Sequence, residues 1–321
     1  MNRNRRTFLK YMAAGTGTVA GGSSLWLAKS RSRAARWMRT MIADAKRPIL
    51  RAPEKPEPAK WSDNQITLCW IGHSTVLINF YGIHILTDPA FGKRVGISLG
   101  LGTAGPKRYI APALARHELP PIDVLLLSHA HMDHMDLTSL RKFPHDTFTA
   151  TAKLTSDVVS SAGLRSPTEL GWGESTTFRT RNGELSIEAV QVKHWGQRWP
   201  SELERGYNGY ILRREGRSLL FAGDTAHTSL VARLRPKGPF EAAIMPIGAY
   251  RPWIWNHCDP EQAVEMARAA GASYMIPVHH QTFKLSDEPM HEPIERFEQA
   301  LSGERERIGL KQVGETFTCP V

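Results

Sequence analysis

The chain has 321 residues, 41% hydrophobic and 22% charged, enough to bury one large core or two modest ones and unlike a disordered or polytopic membrane chain. Its formal charge of +10 is uneven: residues 1–60 carry 14 Lys/Arg against 3 Asp/Glu, leaving 27 basic and 28 acidic residues, a net of −1, for residues 61–321. A nearly neutral body argues against a nucleic-acid partner, whose phosphates call for basic residues on the domain that binds them, and Cys69, Cys258 and Cys319 are too few and too scattered for a disulfide framework or a thiolate metal site.

In chain order, "RRTFLK", Arg5 to Lys10, precedes an uncharged stretch from Tyr11 to Ala28 rich in Gly, Ala, Ser and Thr. This resembles a twin-arginine export signal, and the glycines and hydroxyls argue against a membrane-spanning helix. Residues 1–30 are therefore expected to direct export to the periplasm; "AKS", Ala28 to Ser30, would suit cleavage, or the segment stays as an anchor. Residues 31–46 read as a basic amphipathic helix, with Trp37, Met38, Met41 and Ile42 on one side, which either lies on anionic lipid or packs on the domain. "RAPEKPEPAK", Arg51 to Lys60, reads as an extended linker, so that 31–60 precede a folded domain over 61–321.

From Gln65 onward, "QITLCWI", "VLINF" and "IHILTD" read as short strands, and "IDVLLLSH" as a fully buried one. "TAKLTSDVVSSAG", Thr151 to Gly163, is expected to be helical. "LSIEAVQV", "NGYILRR", "SLLFAGD", "AAIMPI" and "SYMIPVHH" form a second batch of strands. Two helices accompany them, one with Asp259 as N-cap, Pro260 at its first position and Gly271 past its end, the other carrying Pro293 and Gly303. The pattern predicts an α/β fold of two mixed sheets packed back to back, with helices outside.

Ligand-type residues fall at the carboxyl ends of four of these strands: His129, His131, Asp133 and His134 after "VLLLS", His194 after "AVQVK", Asp224 after "LLFAG" and His279 after "MIPV". Four ionisable groups at the end of a buried strand are costly without a partner charge, and imidazole and carboxylate donors without thiolate suit zinc, with manganese or iron open. Singly, His194, His279 and Asp224 would pass for ordinary core or turn residues; they gain weight from their equivalent places.

"HAHMDH", His129 to His134, is similar to the H-x-H-x-D-H signature of the metallo-β-lactamase-fold hydrolases. Together with "WIGHSTVLI", "ILTDPAFG", "GPKRY", "HWGQR", "FAGDT", "MPIGAYRPW", "HCDPEQAV" and "VHHQTF", it resembles the branch containing N-acyl-phosphatidylethanolamine-hydrolysing phospholipase D. The resemblance implies an αββα sandwich. It implies two Zn2+ ions, one on His129, His131 and His194, the other on Asp133, His134 and His279, with Asp224 bridging and His280 in reserve for His279. Such a pair would hold a bridging hydroxide as the nucleophile for a phosphodiester.

Catalytic roles then fall to Asp133 and His257; His257 would orient the phosphate or help the leaving group, unless it is only a helix-entry residue, and His73 is a weaker option. Tyr250, Trp253 and Trp255, with Trp195 and Trp199, are expected to line an apolar mouth for acyl chains, unless they are core. The substrate expected is N-acyl phosphatidylethanolamine or a related lipid. The alternatives are a soluble lactonase or small-molecule phosphodiesterase of the same fold, a metal-dependent nuclease, which the neutral body opposes, and a non-catalytic metal-binding module. Oligomeric state is not legible.

Overall fold

The structure, a computed structural model, describes residues 44, 46–98, 102–199, 202 and 204–320. The expected export signal at 1–30, and the expected basic helix at 31–46 apart from Asp44 and Lys46, lie outside these residues.

The strands are β1 (Ile66–Gly72), β2 (Thr75–Phe80), β3 (Ile83–Thr87), β4 (Ile97–Ser98), β5 (Thr103–Ala104), β6 (Val124–Leu126), β7 (Phe148–Ala152), β8 (Thr168–Leu170), β9 (Ser175–Thr180), β10 (Gly183–Val190), β11 (Gly209–Arg214), β12 (Arg217–Phe221), β13 (Phe240–Pro246), β14 (Ala272–Val278) and β15 (Thr316–Thr318). The helices are α1 (Leu137–Leu140), α2 (Ser156–Ser161), α3 (Ser229–Ala232), α4 (Pro260–Ala270) and α5 (Glu292–Ala300). One sheet runs β15-β1-β2-β3-β6-β7-β8, the other β14-β13-β12-β11-β10-β9, and β4-β5 is a separate ribbon. Both large sheets are mixed: β3-β6-β7-β8 and β12-β13-β14 pair in parallel, the remaining neighbours antiparallel.

The period-2 alternation of strand side chains sorts residues into two cores. Leu219, Phe221, Ala242 and Ile244 join a cluster with Ile85, Leu125 and Ala150 of the other sheet. Their chain neighbours Leu220, Ala222, Ala243 and Met245 instead meet Ala263, Val264 and Phe297 of α4 and α5. This is the expected αββα sandwich. Helix α4 also starts and stops where its punctuation says: Asp259 accepts the Gln262 N–H at 2.9 Å, Gln262 accepts the Asp259 N–H at 3.2 Å, and Gly271 turns the chain away at φ 83°.

Two local expectations change. The helix expected over 151–163 is confined to Ser156–Ser161, because Thr151 and Ala152 complete β7 between β6 and β8; Leu154, at φ 59°, separates strand from helix. The segment before Trp61 ends in a 3₁₀ turn at Pro58–Lys60 and lies against the domain. Arg47 donates to the Lys107 and Arg108 carbonyls at 2.7 and 3.0 Å, and Leu50 exchanges backbone bonds of 2.8 Å with Tyr109 and Ala111.

Candidate metal centre

The carboxyl ends of β1, β3, β6, β10, β12 and β14 lead into one buried cluster, which brings together His129, His131, Asp133, His134, His194, Asp224, His257 and His279. His129 and His134 are 1% and 0% exposed, and Asp224 is 3%. The donors sort into two sets. His129 Nε2 and His194 Nε2 face His131 Nδ1 at 2.8 and 3.3 Å. His134 Nε2 and His279 Nε2 face Asp133 Oδ2 at 3.6 and 3.4 Å. Asp224 Oδ2 lies between the sets, 3.1 Å from His134 Nε2, 3.2 Å from His279 Nε2 and 3.8 Å from His194 Nε2.

Hydrogen bonds on the outer side of the rings fix which nitrogen looks inward. His134 Nδ1–H donates to Asp88 Oδ2 at 2.7 Å, and His194 Nδ1–H to the Asn256 carbonyl at 2.8 Å. Ser128 Oγ gives its proton to Asp88 at 2.5 Å and so accepts from His129 Nδ1 at 2.8 Å. In His129 and His194 this leaves Nε2 as a lone pair turned toward the cluster, and in His134 it turns Nε2 toward Asp224. The loop that carries four of the donors is itself held by Arg198, whose guanidinium donates to the Ala130 and Met135 carbonyls at 2.8 and 3.0 Å.

Burial, the largest influence throughout, holds His129 and His194 well below the ordinary imidazole pKa and takes His131 and His257 down to about 4. It also opposes charge on the other set, but there the partners win. Around His134 the carboxylates of Asp224, Asp133 and Asp88 outweigh burial and raise its pKa well above normal; Asp224 and Asp133 take His279 up to about 9. Surrounding imidazoles conversely hold Asp133 and Asp224 well below the carboxylate range.

The donor chemistry fits divalent cations. His134 Nε2, His279 Nε2, His257 Nδ1 and Asp224 Oδ1 are buried without an aligned hydrogen-bond partner, a costly state that a cation would relieve. His129, His131 and His194 are neutral imidazoles whose nitrogens converge, and Asp133, His134 and His279 form a charged set beside them.

Of the residues expected at the rim, Trp253 lines a cavity of about 200 Å³ with Trp195, Leu285, Ala249, His131, Asp133, Asp224, His257 and His279. Trp255 is 77% exposed and outside that lining. Tyr250 does not reach the mouth either: it is buried, with its hydroxyl donating to Glu292 at 2.9 Å and Arg296 over its ring, because the chain turns at Ala249, φ 64°. Trp199 borders a separate cavity with Met132 and Arg198. His280 turns away from the cluster and stacks on Trp70, ring centroids 4.4 Å apart, so His279 is the residue that faces the other donors. Asp88 was not expected. Its place at the end of β3 is equivalent to those of the other donors, and the same strand-end rule would have found it. His73, the weaker option in the sequence, also reaches the cluster from the end of β1: its Nε2 is 3.0 Å from Asp133 Oδ2.

Residues 84–280 match the Beta-lactamase superfamily domain. N-acyl-phosphatidylethanolamine-hydrolyzing phospholipase D 1 of Caenorhabditis elegans is 31% identical over 238 residues, 70% of this chain; the match spans 66% of the worm protein, just under two thirds of its length. A metal-dependent hydrolase of Listeria innocua is 28% identical over 201 residues, 61% of this chain and 82% of that protein. Among solved structures, a metallo hydrolase of the archaeon Ignicoccus hospitalis superposes with a TM-score of 0.59 at 19% identity, covering 80% of this chain and 99% of that one, a likeness of fold. With its two mixed sheets, its strand-end His/Asp cluster and these matches, the chain belongs to the metallo-β-lactamase-fold superfamily of metal-dependent hydrolases and, within it, resembles the branch of the N-acyl-phosphatidylethanolamine-hydrolysing phospholipases D.

Proposed function

We propose that the chain is a phosphodiesterase of the phospholipase D type, acting on N-acyl phosphatidylethanolamine or a related lipid with two zinc ions. In this reading His129, His131 and His194 hold one ion, Asp133, His134 and His279 the other, and Asp224 serves both. Bound together, such ions act as Lewis acids and make water a nucleophile near neutral pH.

The chain's own residues supply the rest. Trp195, Trp253, Leu285 and Ala249 give the cavity an apolar wall for the organic substituent of a diester, and no Lys or Arg is among its described lining residues. A monoanionic diester suits such a lining better than a dianionic monoester does. Asp133 stays ionised and accepts hydrogen bonds, so it can orient the attacking group. His257, 5% exposed with an unpartnered Nδ1 3.8 Å from Asp224 Oδ2, is near enough to hold a proton toward the leaving oxygen. The observation that carries the reading is this juxtaposition of convergent donors and an apolar wall within one cavity, supported by the similarity to the worm enzyme. Export through residues 1–30, and lipid contact through 31–46, would put the site at the periplasmic membrane face.

The small cavity, about 200 Å³, favours a second reading, a lactonase or small-molecule phosphodiesterase. Offering the purified, metal-loaded protein N-acyl phosphatidylethanolamine, small phosphodiesters and lactones side by side separates the two. Release of phosphatidic acid, read by mass spectrometry, supports the lipid reading; turnover of lactones or small diesters alone refutes it.

A further inference from the structure

His73 lies in the turn after β1, is 1% exposed and adopts φ 57°. A non-glycine residue held in this left-handed region is strained by about 1 kcal/mol or more and persists only where its surroundings over-determine it. Three bonds do so here. Its N–H donates to Thr282 Oγ1 at 2.8 Å, and its carbonyl accepts both the Trp70 Nε1–H at 2.7 Å and the backbone N–H of His279 at 3.0 Å. The ring is wedged between His279 and Phe283, with centroids 4.3 and 5.2 Å away.

This arrangement aims Nε2 at Asp133 Oδ2, 3.0 Å away. An ionised carboxylate only accepts, so the proton of His73 sits on Nε2; Nδ1 is buried with no partner. His73 also differs from its neighbours in reach. His134 and His279 each come within 3.6 Å of both Asp133 and Asp224, whereas among the described ion pairs His73 meets Asp133 alone. The other donor set has separate anchors, Ser128 on His129 and the Asn256 carbonyl on His194.

We propose that His73 is the positioning residue of the carboxylate-rich half of the site: its Nε2–H fixes the Asp133 carboxylate and its carbonyl fixes the backbone of His279, so one strained turn sets two of the three donors there. The inference rests on the two-ion reading given above. It makes the two ion positions inequivalent, with only one of them dependent on β1. Partners that orient a ligand typically contribute about 10- to 100-fold to metal affinity.

The test is a zinc titration of the metal-free chain against a chromophoric chelator, for the wild type, His73→Phe and His73→Gln. Phenylalanine keeps a ring between His279 and Phe283 but donates nothing; glutamine restores an N–H donor. The wild type should bind two ions. His73→Phe should bind one with unchanged affinity and the other about 10- to 100-fold more weakly, and His73→Gln should recover most of that loss. Unchanged affinity for both ions in His73→Phe overturns the proposal, as does equal weakening of both or no recovery in His73→Gln. Should His73→Phe fail to fold, as judged by near-ultraviolet circular dichroism, His73→Gln decides alone: both ions within about tenfold of wild type support the proposal, and a larger loss refutes it. A wild-type chain that binds no zinc would instead sink the two-ion reading, and that result is seen before any variant is measured.

Discussion

Asp88→Asn is a one-atom test of how the cluster is built. The carboxylate is fully buried and accepts three donors: Ser128 N–H at 2.8 Å, Ser128 Oγ–H at 2.5 Å and His134 Nδ1–H at 2.7 Å. Asparagine offers one accepting oxygen and an NH2 group, so Oδ2, which serves both Ser128 Oγ and His134, becomes a donor facing donors. A buried unmatched polar group costs about 1–3 kcal/mol, so the metal-free variant should lose about 2–4 kcal/mol from a stability that in domains is typically about 5–15 kcal/mol. His134, held protonated by the carboxylates around it, can escape part of this by giving up its Nδ1 proton and accepting from the new amide. The proton retained is then the one on Nε2, the atom 3.1 Å from Asp224 Oδ2, where a cation needs a lone pair. Denaturant unfolding of the metal-free chain measures the first effect, nitrogen-15 NMR of the His134 ring the second, and zinc titration the resulting loss of one ion. An Asp88→Asn chain with wild-type midpoint, wild-type protonation of the His134 ring and two tightly bound ions would refute the reasoning.

The remaining expectations concern the same cluster. Burial opposes protonation of His279, but Asp224 and Asp133 outweigh it and set its pKa at about 9, so in the metal-free chain a cation must displace a proton. Zinc affinity should therefore rise with pH, roughly tenfold per unit for each proton displaced, and level off above about pH 9; calorimetry in buffers of different ionisation enthalpy reads the protons released, and an affinity flat from pH 6 to pH 8 would contradict this. Chelation should lower the thermal midpoint, since a ligand at about a thousand times its Kd adds about 4 kcal/mol; scans with and without chelator that coincide would refute it. Gly248→Ala would place a Cβ 2.2 Å from the His279 carbonyl oxygen, a backbone clash that must move His279, and should cost metal affinity at the Asp133 set; wild-type zinc titration in that variant would show the neighbour yields freely. Trp253→Ala should raise KM for long-chain substrates with little change in kcat, and Trp255→Ser should not, because only Trp253 lines the cavity; equal effects on KM would argue for a wider mouth.

How far the sequence could be read depended on whether a feature was local. The donors at 129, 131, 133, 134, 194, 224 and 279 were legible because each ends an apolar run, and strand ends in such a sandwich converge on one edge. His279 and His280 were indistinguishable in sequence, since extended neighbours point to opposite sides and nothing local says which side is the site; the stacking of His280 on Trp70 decides it. Tyr250 was misplaced because its partner Glu292 lies far along the chain, on α5. The β7 residues Thr151 and Ala152 read as helix because their pairing with Leu126 and Leu170 is non-local and carries no short-range signature. Asp88 follows β3 as the other donors follow their strands, and its three buried donors show it as an anchor.

Neither sheet can make this site alone. The first supplies His73, Asp88 and the run from His129 to His134; the second supplies His194, Asp224 and His279. Each proposed trio takes two donors from the first sheet and one from the second, so the docking of the sheets through Ile85, Leu125, Phe221 and Ile244 is what completes both. The converse also holds. The contacts of the cluster in turn tie the sheets together: His194 Nε2 lies 3.3 Å from His131 Nδ1, and Asp224 Oδ2 lies 3.1 Å from His134 Nε2.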